Sequence, residues 1–426
     1  MRSGFISLAI LSGLIAGCGA PEASFVFNER TEKLPREAQI GGKGADGEKL
    51  KGIKTVIEEN FGTPNKLVAW QKLPIEWGGT KEELSKAAGA ETPTEFSLAR
   101  ASDEDLETIS MQPGYHLAAG RQLYMEHCVH CHGTSGDGAG PTAKYLYPRP
   151  RDYRKGLFKF TSTKEGLHVT KGDLTRIIKM GIPGTYMPSF MLLKDQELEQ
   201  IVEYVRWLSM RGEVEYALGA ELAADFSNDA IAERVADGEK RKVIIAELKE
   251  TLAGMDDLVD SAGTDIADAW TEAEGKDALI VPSLGRIKDS AESRRKGRAI
   301  FISAAAKCTN CHGPHGMGDG KQTEEYENND ETGGKWDEQG LHDKWGNIVK
   351  PRNLTTGIYR GGRRPIDVFR RVRAGIKGSG MPAFGTSVIP DEDLWHLVNY
   401  VKSIPFGPTE PAAATAAEKK TAEPAG

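Results

Sequence analysis

Apolar residues recur at helical spacing along much of the chain. In segments 195–208 and 391–404, Leu, Ile and Val fall at i, i+3, i+4, i+7 and i+10, which places them on one face of an amphipathic helix. Shorter amphipathic helices are predicted over 174–181 and 368–375, each ending at a glycine, and segment 231–252 has helical spacing as well. The pattern therefore predicts a mainly α protein.

The chain begins with a basic residue, Arg2, followed by an apolar run from Phe5 to Ala16. This combination is typical of a signal peptide, placed here at 1–17, because a run of about a dozen residues is too short to cross a bilayer, which needs about 20. The small residues before Cys18 resemble a bacterial lipobox. On that resemblance, cleavage would leave a lipid-modified Cys18 that tethers the protein to the periplasmic face of a membrane. The alternative is an ordinary secretory signal in which Cys18 is incidental, and the protein is exported in either case.

Length and charge narrow the classes of function. A chain of 426 residues allows two or three domains, and a net charge of −7 without a basic run among aromatics argues against nucleic acid as a partner. Charged residues nevertheless cluster, either as solvated faces or as docking sites for a charged partner. The clusters are basic at Arg149, Arg151, Arg154 and Lys155 and at Arg360, Arg363, Arg364, Arg370, Arg371 and Arg373, and acidic at Asp256, Asp257, Asp260, Asp265 and Asp268.

A five-residue element, Cys-x-x-Cys-His, occurs twice, at 128–132 and 308–312. It is the attachment signature of c-type haem, in which two thioether bonds hold the porphyrin and the adjoining imidazole takes an axial position on the iron. The sequence therefore predicts two covalently bound haem c groups. The residues concerned are Cys128, Cys131 and His132 in the first element and Cys308, Cys311 and His312 in the second.

A structural zinc site and a dithiol redox pair are the alternatives to haem for these elements. A structural zinc site needs four ligands, and the usual pairing of two Cys-x-x-Cys elements 15 to 20 residues apart is absent. A dithiol redox pair is compatible with any Cys-x-x-Cys, but it gives no reason for the histidine that follows in both copies. Both alternatives explain less of the pattern than haem does.

The repeat extends well beyond the haem elements. Both elements run into Gly-rich loops, and a Pro-Arg pair at 150–151 is echoed at 351–352. Farther on, the segment Gly184 to Phe190 matches Gly378 to Phe384, each with a central Met-Pro, and the two amphipathic helices of 195–208 and 391–404 close the repeats. The chain therefore contains two copies of one kind of domain.

This order of elements resembles class I cytochrome c, in which an N-terminal helix leads into Cys-x-x-Cys-His, and a methionine loop precedes a C-terminal helix that crosses the first. The resemblance covers roughly 111–211 and 291–406, about half of the chain. It implies that His132 and His312 are proximal ligands of iron and that Met187 and Met381 are distal ligands. A neutral thioether favours ferrous iron and raises the reduction potential relative to two imidazoles.

Alternatives remain open for the methionines and arginines. Met180, Met191 and Met317 are the other candidates for the distal ligand. A guanidinium group can form two parallel hydrogen bonds to a carboxylate, so the arginines at equivalent positions in the two repeats are candidates to neutralise the buried haem propionates. The alternative is that they form surface salt bridges. These arginines are Arg151, Arg176, Arg352 and Arg370.

The resemblance implies a dihaem electron carrier without a small-molecule substrate, since two His/Met-ligated irons leave no open position. Its expected partners are redox proteins: a membrane quinol oxidoreductase or dehydrogenase on one side, and an oxidase or soluble cytochrome on the other. A dihaem peroxidase and a fixed subunit of a larger complex are the two alternative functions. A dihaem peroxidase would need one haem with a displaceable ligand, and a fixed subunit of an oxidase or quinol or dehydrogenase complex would be tethered to the membrane in the same way.

The remaining segments carry no ligand motif. We expect a tether or accessory region at 18–110, first and second haem domains at 111–212 and 291–406, and an acidic helical insert between them at 213–290. The tail 407–426 is expected to be disordered. Within the second domain, 321–349 is an insertion whose acidic residues indicate either a solvated loop or a cation site.

Overall fold

The computed structural model describes residues 23–78, 115–329 and 333–407. In these residues the chain is mainly α, as predicted, and the strands are two-residue hairpin arms. The predicted signal peptide, Cys18 and the tail after Gly407 lie outside the described residues, as does most of the second half of the region predicted as a tether. The two Cys-x-x-Cys-His elements therefore lie in a mainly helical framework.

The N-terminal unit, residues 23–78, contains three helices and two antiparallel hairpins. Gly42 pairs with Leu50 in the first hairpin and Gly62 with Leu67 in the second. The helices are α1 (Glu29–Glu32), α2 (Arg36–Ile40) and α3 (Ile53–Phe61), and the hairpin strands are β1 (Gly42–Lys43), β2 (Lys49–Leu50), β3 (Gly62–Thr63) and β4 (Lys66–Leu67).

The first repeat forms a helical domain in which the first helix crosses the last. The crossing is close because Gly120 has no side chain: a Cβ there would lie 2.0 Å from the carbonyl oxygen of Gln200. Tyr124 and Tyr204 pack beside it with ring centroids 5.2 Å apart. The helices are α4 (Tyr115–His127), α5 (Val129–His132), α6 (Lys171–Met180) and α7 (Asp195–Phe226).

Helix α7 is much longer than the predicted 195–208 and runs through the predicted domain boundary at 212. Its apolar face continues at four-residue steps through Val214, Leu218, Leu222 and Phe226, all of which are buried. Gly212 does not end the helix. A Cβ there would lie 2.4 Å from Cβ of Arg154, so this glycine allows a close approach between two segments.

The predicted acidic helical insert is a set of three helices that packs back onto the first domain. Trp270 is fully buried, and Gly263 lies directly beneath the ring of Trp70 in the N-terminal unit. Lys51 also pairs with Asp256 at 2.9 Å. The insert is therefore a cap on the first domain; its helices are α8 (Asn228–Ala236), α9 (Arg241–Ala253) and α10 (Met255–Ala273).

The second repeat has the same crossing as the first. A Cβ on Gly297 would lie 2.0 Å from the carbonyl oxygen of His396, and the rings of Phe301 and Tyr400 have centroids 5.5 Å apart. The helices are α11 (Ala291–Phe301), α12 (Cys308–His312), α13 (Pro365–Ala374) and α14 (Asp391–Ser403), and the insertion contributes β5 (Asn328–Asn329) and β6 (Gly334–Lys335).

The N-terminal unit, residues 23–78, packs on helix α7. Glu215 accepts hydrogen bonds from the backbone N–H of Asn28 at 2.6 Å and from the hydroxyl of Thr31 at 3.0 Å. The guanidinium of Arg211 lies 4.3 Å from the ring centroid of Phe25, and both members of the Arg211–Glu215 pair are buried. Of the two alternatives for this region, a tether or an accessory region, residues 23–78 therefore correspond to the second.

The two haem domains contact each other reciprocally through their methionine loops. A Cβ on Gly184 would lie 2.9 Å from Nη2 of Arg352, and a Cβ on Gly378 would lie 2.9 Å from Nη1 of Arg151. Each repeat therefore places its Pro-Arg segment beside the methionine loop of the other repeat.

Candidate functional site

Each Cys-x-x-Cys-His element forms one short helix whose histidine is held by the Pro-Arg segment. Nδ1 of His132 lies 3.3 Å from the carbonyl oxygen of Arg151, and Nδ1 of His312 lies 3.4 Å from that of Arg352. A ring that donates from Nδ1 keeps the lone pair of Nε2 for a metal. Burial lowers the pKa of His132 to about 4 and also lowers the pKa of His312, so both imidazoles are neutral and able to coordinate.

The two cysteines of each element are not joined to each other by a disulfide, as a dithiol redox pair in its oxidised form would be. In the described parts of the chain, no cluster of three or more His, Cys, Asp and Glu side chains is arranged to hold a metal ion. The ligand set that a structural zinc site requires is therefore not assembled there.

The two methionine loops have the same local structure. The hydroxyl of Thr185 donates to the carbonyl oxygen of Ile182 at 2.8 Å and accepts from the N–H of Met187 at 3.1 Å. Ser379 makes the corresponding contacts in the second repeat, with Ile376 at 2.8 Å and with Met381 at 3.5 Å. Each hydroxyl fixes the turn that presents the methionine side chain.

Both elements and both loops line one continuous cavity of about 970 Å³. Its lining includes His132, Met187, His312 and Met381 together with the four motif cysteines. The alternative methionines, Met180, Met191 and Met317, are more than half exposed and are not part of the lining. The cavity is at the upper end of the roughly 300–1,000 Å³ typical of small-molecule sites, and it brings both sets of predicted ligands together.

Comparison with known proteins identifies both repeats. The family described as cytochrome c matches residues 117–209, and the family described as cytochrome C oxidase, cbb3-type, subunit III matches residues 292–401. The chain is a dihaem class I c-type cytochrome. Its two domains imply two covalently bound haem c groups with iron.

Comparison of the whole cytochrome with other proteins adds little to this assignment. A chain of the Kuenenia stuttgartiensis reducing HAO-like protein complex is similar at 23% identity and a TM-score of 0.45, over 67% of this chain and 95% of that one. No curated protein matches the sequence. Among the described residues, no helix is both long enough and apolar enough to cross a membrane.

The positively charged side chains that line the cavity indicate whether the cytochrome could bind the propionates of two haems. Arg151 lines the cavity, and its three guanidinium nitrogens are buried without a hydrogen-bond partner in the described structure. Burying guanidinium donors without a partner costs free energy unless an anion accepts hydrogen bonds from them. The carboxylate of a haem propionate can accept such bonds. Arg352 also lines the cavity, but it donates from Nε to the carbonyl oxygen of Ile358 at 2.9 Å.

Arg176 and Arg370, the other two predicted propionate partners, lie outside the cavity lining. Arg176 donates to the carbonyl oxygen of Gly361 at 3.0 Å and lies 3.6 Å from Asp367, both in the second domain. Arg370 donates to the carbonyl oxygen of Ile280 at 3.2 Å. The structure thus places both side chains at contacts between segments, where Arg176 donates to backbone and carboxylate oxygens and Arg370 to a backbone oxygen.

The sequence interpretation did not identify Lys159 and Arg360 as candidate partners of a haem propionate. Both line the cavity, and each lies eight residues after its Pro-Arg arginine. Burial, followed by the nearby charge of Arg151, lowers the pKa of Lys159 to about 8. The repeat alignment contained this signal, because the two residues are equivalent and both basic. Trp345, in contrast, lies in the insertion, which the first repeat lacks, so the repeat alignment gave no signal for it.

Proposed function

We propose that this cytochrome carries single electrons between redox proteins at the periplasmic face of a bacterial membrane, through two His/Met-ligated haems. The observation that supports this best is the continuous cavity that contains both His/Met pairs. Haem iron supplies the one-electron chemistry when bound. The chain's own residues would hold the irons at the same cavity, so that an electron crosses between domains without a partner protein.

The axial ligands proposed are His132 with Met187 and His312 with Met381. The histidines are neutral and oriented by backbone carbonyls, and the methionine loops are fixed by equivalent hydroxyl contacts. With both axial positions filled by protein side chains, peroxide or oxygen would first have to displace a ligand. This arrangement favours electron transfer over chemistry on a bound substrate.

The proposed lipid anchor would keep the first domain close to the membrane. Phe25, which is already buried on α7, lies only seven positions after Cys18. An extended chain of that length reaches at most about 25 Å. A cytochrome anchored in this way would exchange electrons with partners at or near the membrane surface, such as a quinol oxidoreductase, a dehydrogenase or an oxidase.

A spectroscopic measurement on the purified protein tests the haem assignment. We expect two covalent haems per chain by pyridine haemochrome, both low-spin, with the sulfur-to-iron charge-transfer band of His/Met ligation in the oxidised protein. A high-spin or bis-histidine haem, together with rapid reaction of the reduced protein with hydrogen peroxide, would instead favour a dihaem peroxidase.

Two further experiments separate a mobile carrier from a fixed subunit and test the anchor. Native purification from solubilised membranes should yield the cytochrome alone; stable co-purification with integral membrane subunits would assign it to a larger complex. Cys18→Ser should move the protein from the membrane to the soluble exported fraction. Unchanged membrane retention of this variant would remove the lipid anchor from the proposal.

A further inference from the structure

The insertion in the second domain reaches across to the first domain's haem site. The span from His312 to Met381 is 69 residues, against 55 from His132 to Met187, and the extra length is in this loop. Its Trp345 lies over Arg151, with the guanidinium carbon 4.0 Å from the ring centroid, and Lys155 lies 5.6 Å from the same ring. The first repeat has no corresponding loop to cover Arg352.

Arg151 and Trp345 both present buried donors that are unused. Within the described residues, the three guanidinium nitrogens of Arg151 and Nε1 of Trp345 have no hydrogen-bond partner. Stacking occupies only the face of a guanidinium, so its in-plane N–H groups stay available. Two adjacent side chains with buried, unpaired donors indicate that an acceptor belongs between or beside them.

The space beside these donors is a second cavity of about 140 Å³ that adjoins the large one. Arg151, Trp345, Lys159 and Asp343 are part of its lining. Arg149, Pro150, Arg151 and Lys159 line both cavities, so a group extending from the large cavity has a short path into the small one. The size suits a carboxylate arm and not a second cofactor.

The turn that carries Trp345 is rigid. Oδ1 of Asp343 accepts from the backbone N–H groups of Trp345 at 3.1 Å and Asn347 at 3.0 Å, and from the side-chain amide of Asn347 at 3.3 Å. Asp343 is itself buried, and its charge acts on Arg151. These bonds hold the indole against Arg151 whether or not an acceptor is bound.

The corresponding arginine of the second domain is arranged differently. Arg352 donates to the carbonyl oxygen of Ile358 at 2.9 Å and to the hydroxyl of Thr356 at 3.4 Å, and this contact region is exposed. Its donors are therefore largely satisfied by its own loop, whereas those of Arg151 are not. The two haem sites share ligands and loops but differ in the donors available to a carboxylate.

We propose that Arg151 and Trp345 form a carboxylate-binding chamber that takes a propionate of the first domain's haem and makes that haem the one with the more positive potential. The proposal rests on the proposed function. The propionate is assigned to the first haem because Arg151 also holds His132 through its carbonyl oxygen. Donors that neutralise a propionate remove negative charge near the iron, and this favours the ferrous state.

Trp345→Phe tests the chamber because it removes the indole N–H and keeps an aromatic ring over Arg151. The measurement is a spectroelectrochemical titration of each haem, resolved in the Met381→Ala and Met187→Ala backgrounds, where the haem that retains its methionine keeps the higher potential. We expect the reduction equilibrium of the first haem to become about tenfold less favourable, which is about 59 mV for one electron. The second haem should be unchanged.

Matched variants keep the outcome interpretable. Trp336→Phe alters another tryptophan of the same insertion, stacked on His342 at 4.8 Å, and should leave both potentials unchanged. Arg151→Gln should also lower the first haem's potential, and its combination with Trp345→Phe should shift it by less than the sum, because both donors would serve one carboxylate.

An unchanged first-haem potential in Trp345→Phe, or a shift confined to the second haem, would overturn the chamber. These results are distinguishable from failure of the proposed function. In every case the variants would be titrated only after two covalent, low-spin His/Met haems had been verified in the parent protein. The inference would then be wrong while the electron-carrier assignment stood.

Discussion

Nδ1 of His132 lies 3.3 Å from the carbonyl oxygen of Arg151, whose guanidinium lies against Trp345 of the other domain. One residue thus holds His132 through its backbone and reaches the domain interface through its side chain. The environment of the first haem is therefore completed by the second domain. Because of this link, changes at the interface are expected to alter redox properties as well as stability.

Met187→Ala and Met381→Ala should each lower the potential of one haem and open its iron to carbon monoxide. The reason is the loss of a soft neutral ligand that stabilises ferrous iron. Redox titration and carbon monoxide difference spectra measure both effects. Met191→Ala is the matched control, since this side chain is 58% exposed and outside the cavity lining. Wild-type potentials in both ligand variants would refute the axial assignment.

Gly120→Ala should destabilise the first domain by about 1–3 kcal/mol, because the added Cβ would meet the carbonyl oxygen of Gln200 at the helix crossing. Gly297→Ala should do the same in the second domain. Thermal unfolding and haem content report the effect. Gly285→Ala is the control, because no atom lies within 4 Å of its added Cβ. Equal stability of all three variants would show that the helices can separate without cost.

Asp367→Asn should reduce the acid sensitivity of the domain contact. Burial alone would raise the pKa of Asp367, but hydrogen bonds from Arg364 and the charge of Arg176 bring it below its ordinary value. A lowered folded-state pKa adds stability above the ordinary carboxyl pKa near 4, and this stability is lost as the pH falls through the folded-state pKa. Melting temperatures from about pH 6 to pH 2 should therefore fall less steeply in the variant.

The control for this comparison is Asp337→Asn, which changes an exposed carboxylate in the insertion. It should retain the pH dependence of the parent protein. A parent-like slope in Asp367→Asn would mean that this carboxylate does not contribute to acid unfolding.

Glu215→Ala should release the N-terminal unit from α7. The substitution removes the acceptor of Asn28 and Thr31 and leaves Arg211 buried without its carboxylate, which typically costs about 3–5 kcal/mol. Limited proteolysis followed by mass spectrometry should detect cleavage within residues 23–78. Glu221→Ala, on an exposed position of the same helix, should remain as resistant as the parent. If Glu215→Ala were equally resistant, the contacts of Glu215 would not be what holds the N-terminal unit on α7.

The paired helices, both haem elements and the two methionine loops could be predicted from sequence because each is a local pattern that occurs twice. The extent of α7 could not. Its second half continues the apolar face but also buries Arg211 and Glu215, over whose charges the N-terminal unit packs. Gly212, where the domain boundary was predicted, is the point at which Arg154 approaches the helix.

The sequence alone determined that the chain carries two haem c groups in two cytochrome c domains, since covalent attachment depends on a contiguous motif of five residues. Through their repeated positions it also predicted the pairs of histidine and methionine that we propose as axial ligands. Only the tertiary structure decided which arginine has free donors. Arg151 and Arg352 occupy equivalent positions, yet one is covered by Trp345 and the other binds its own loop. That difference arises from a contact between residues nearly two hundred positions apart, which no local pattern encodes.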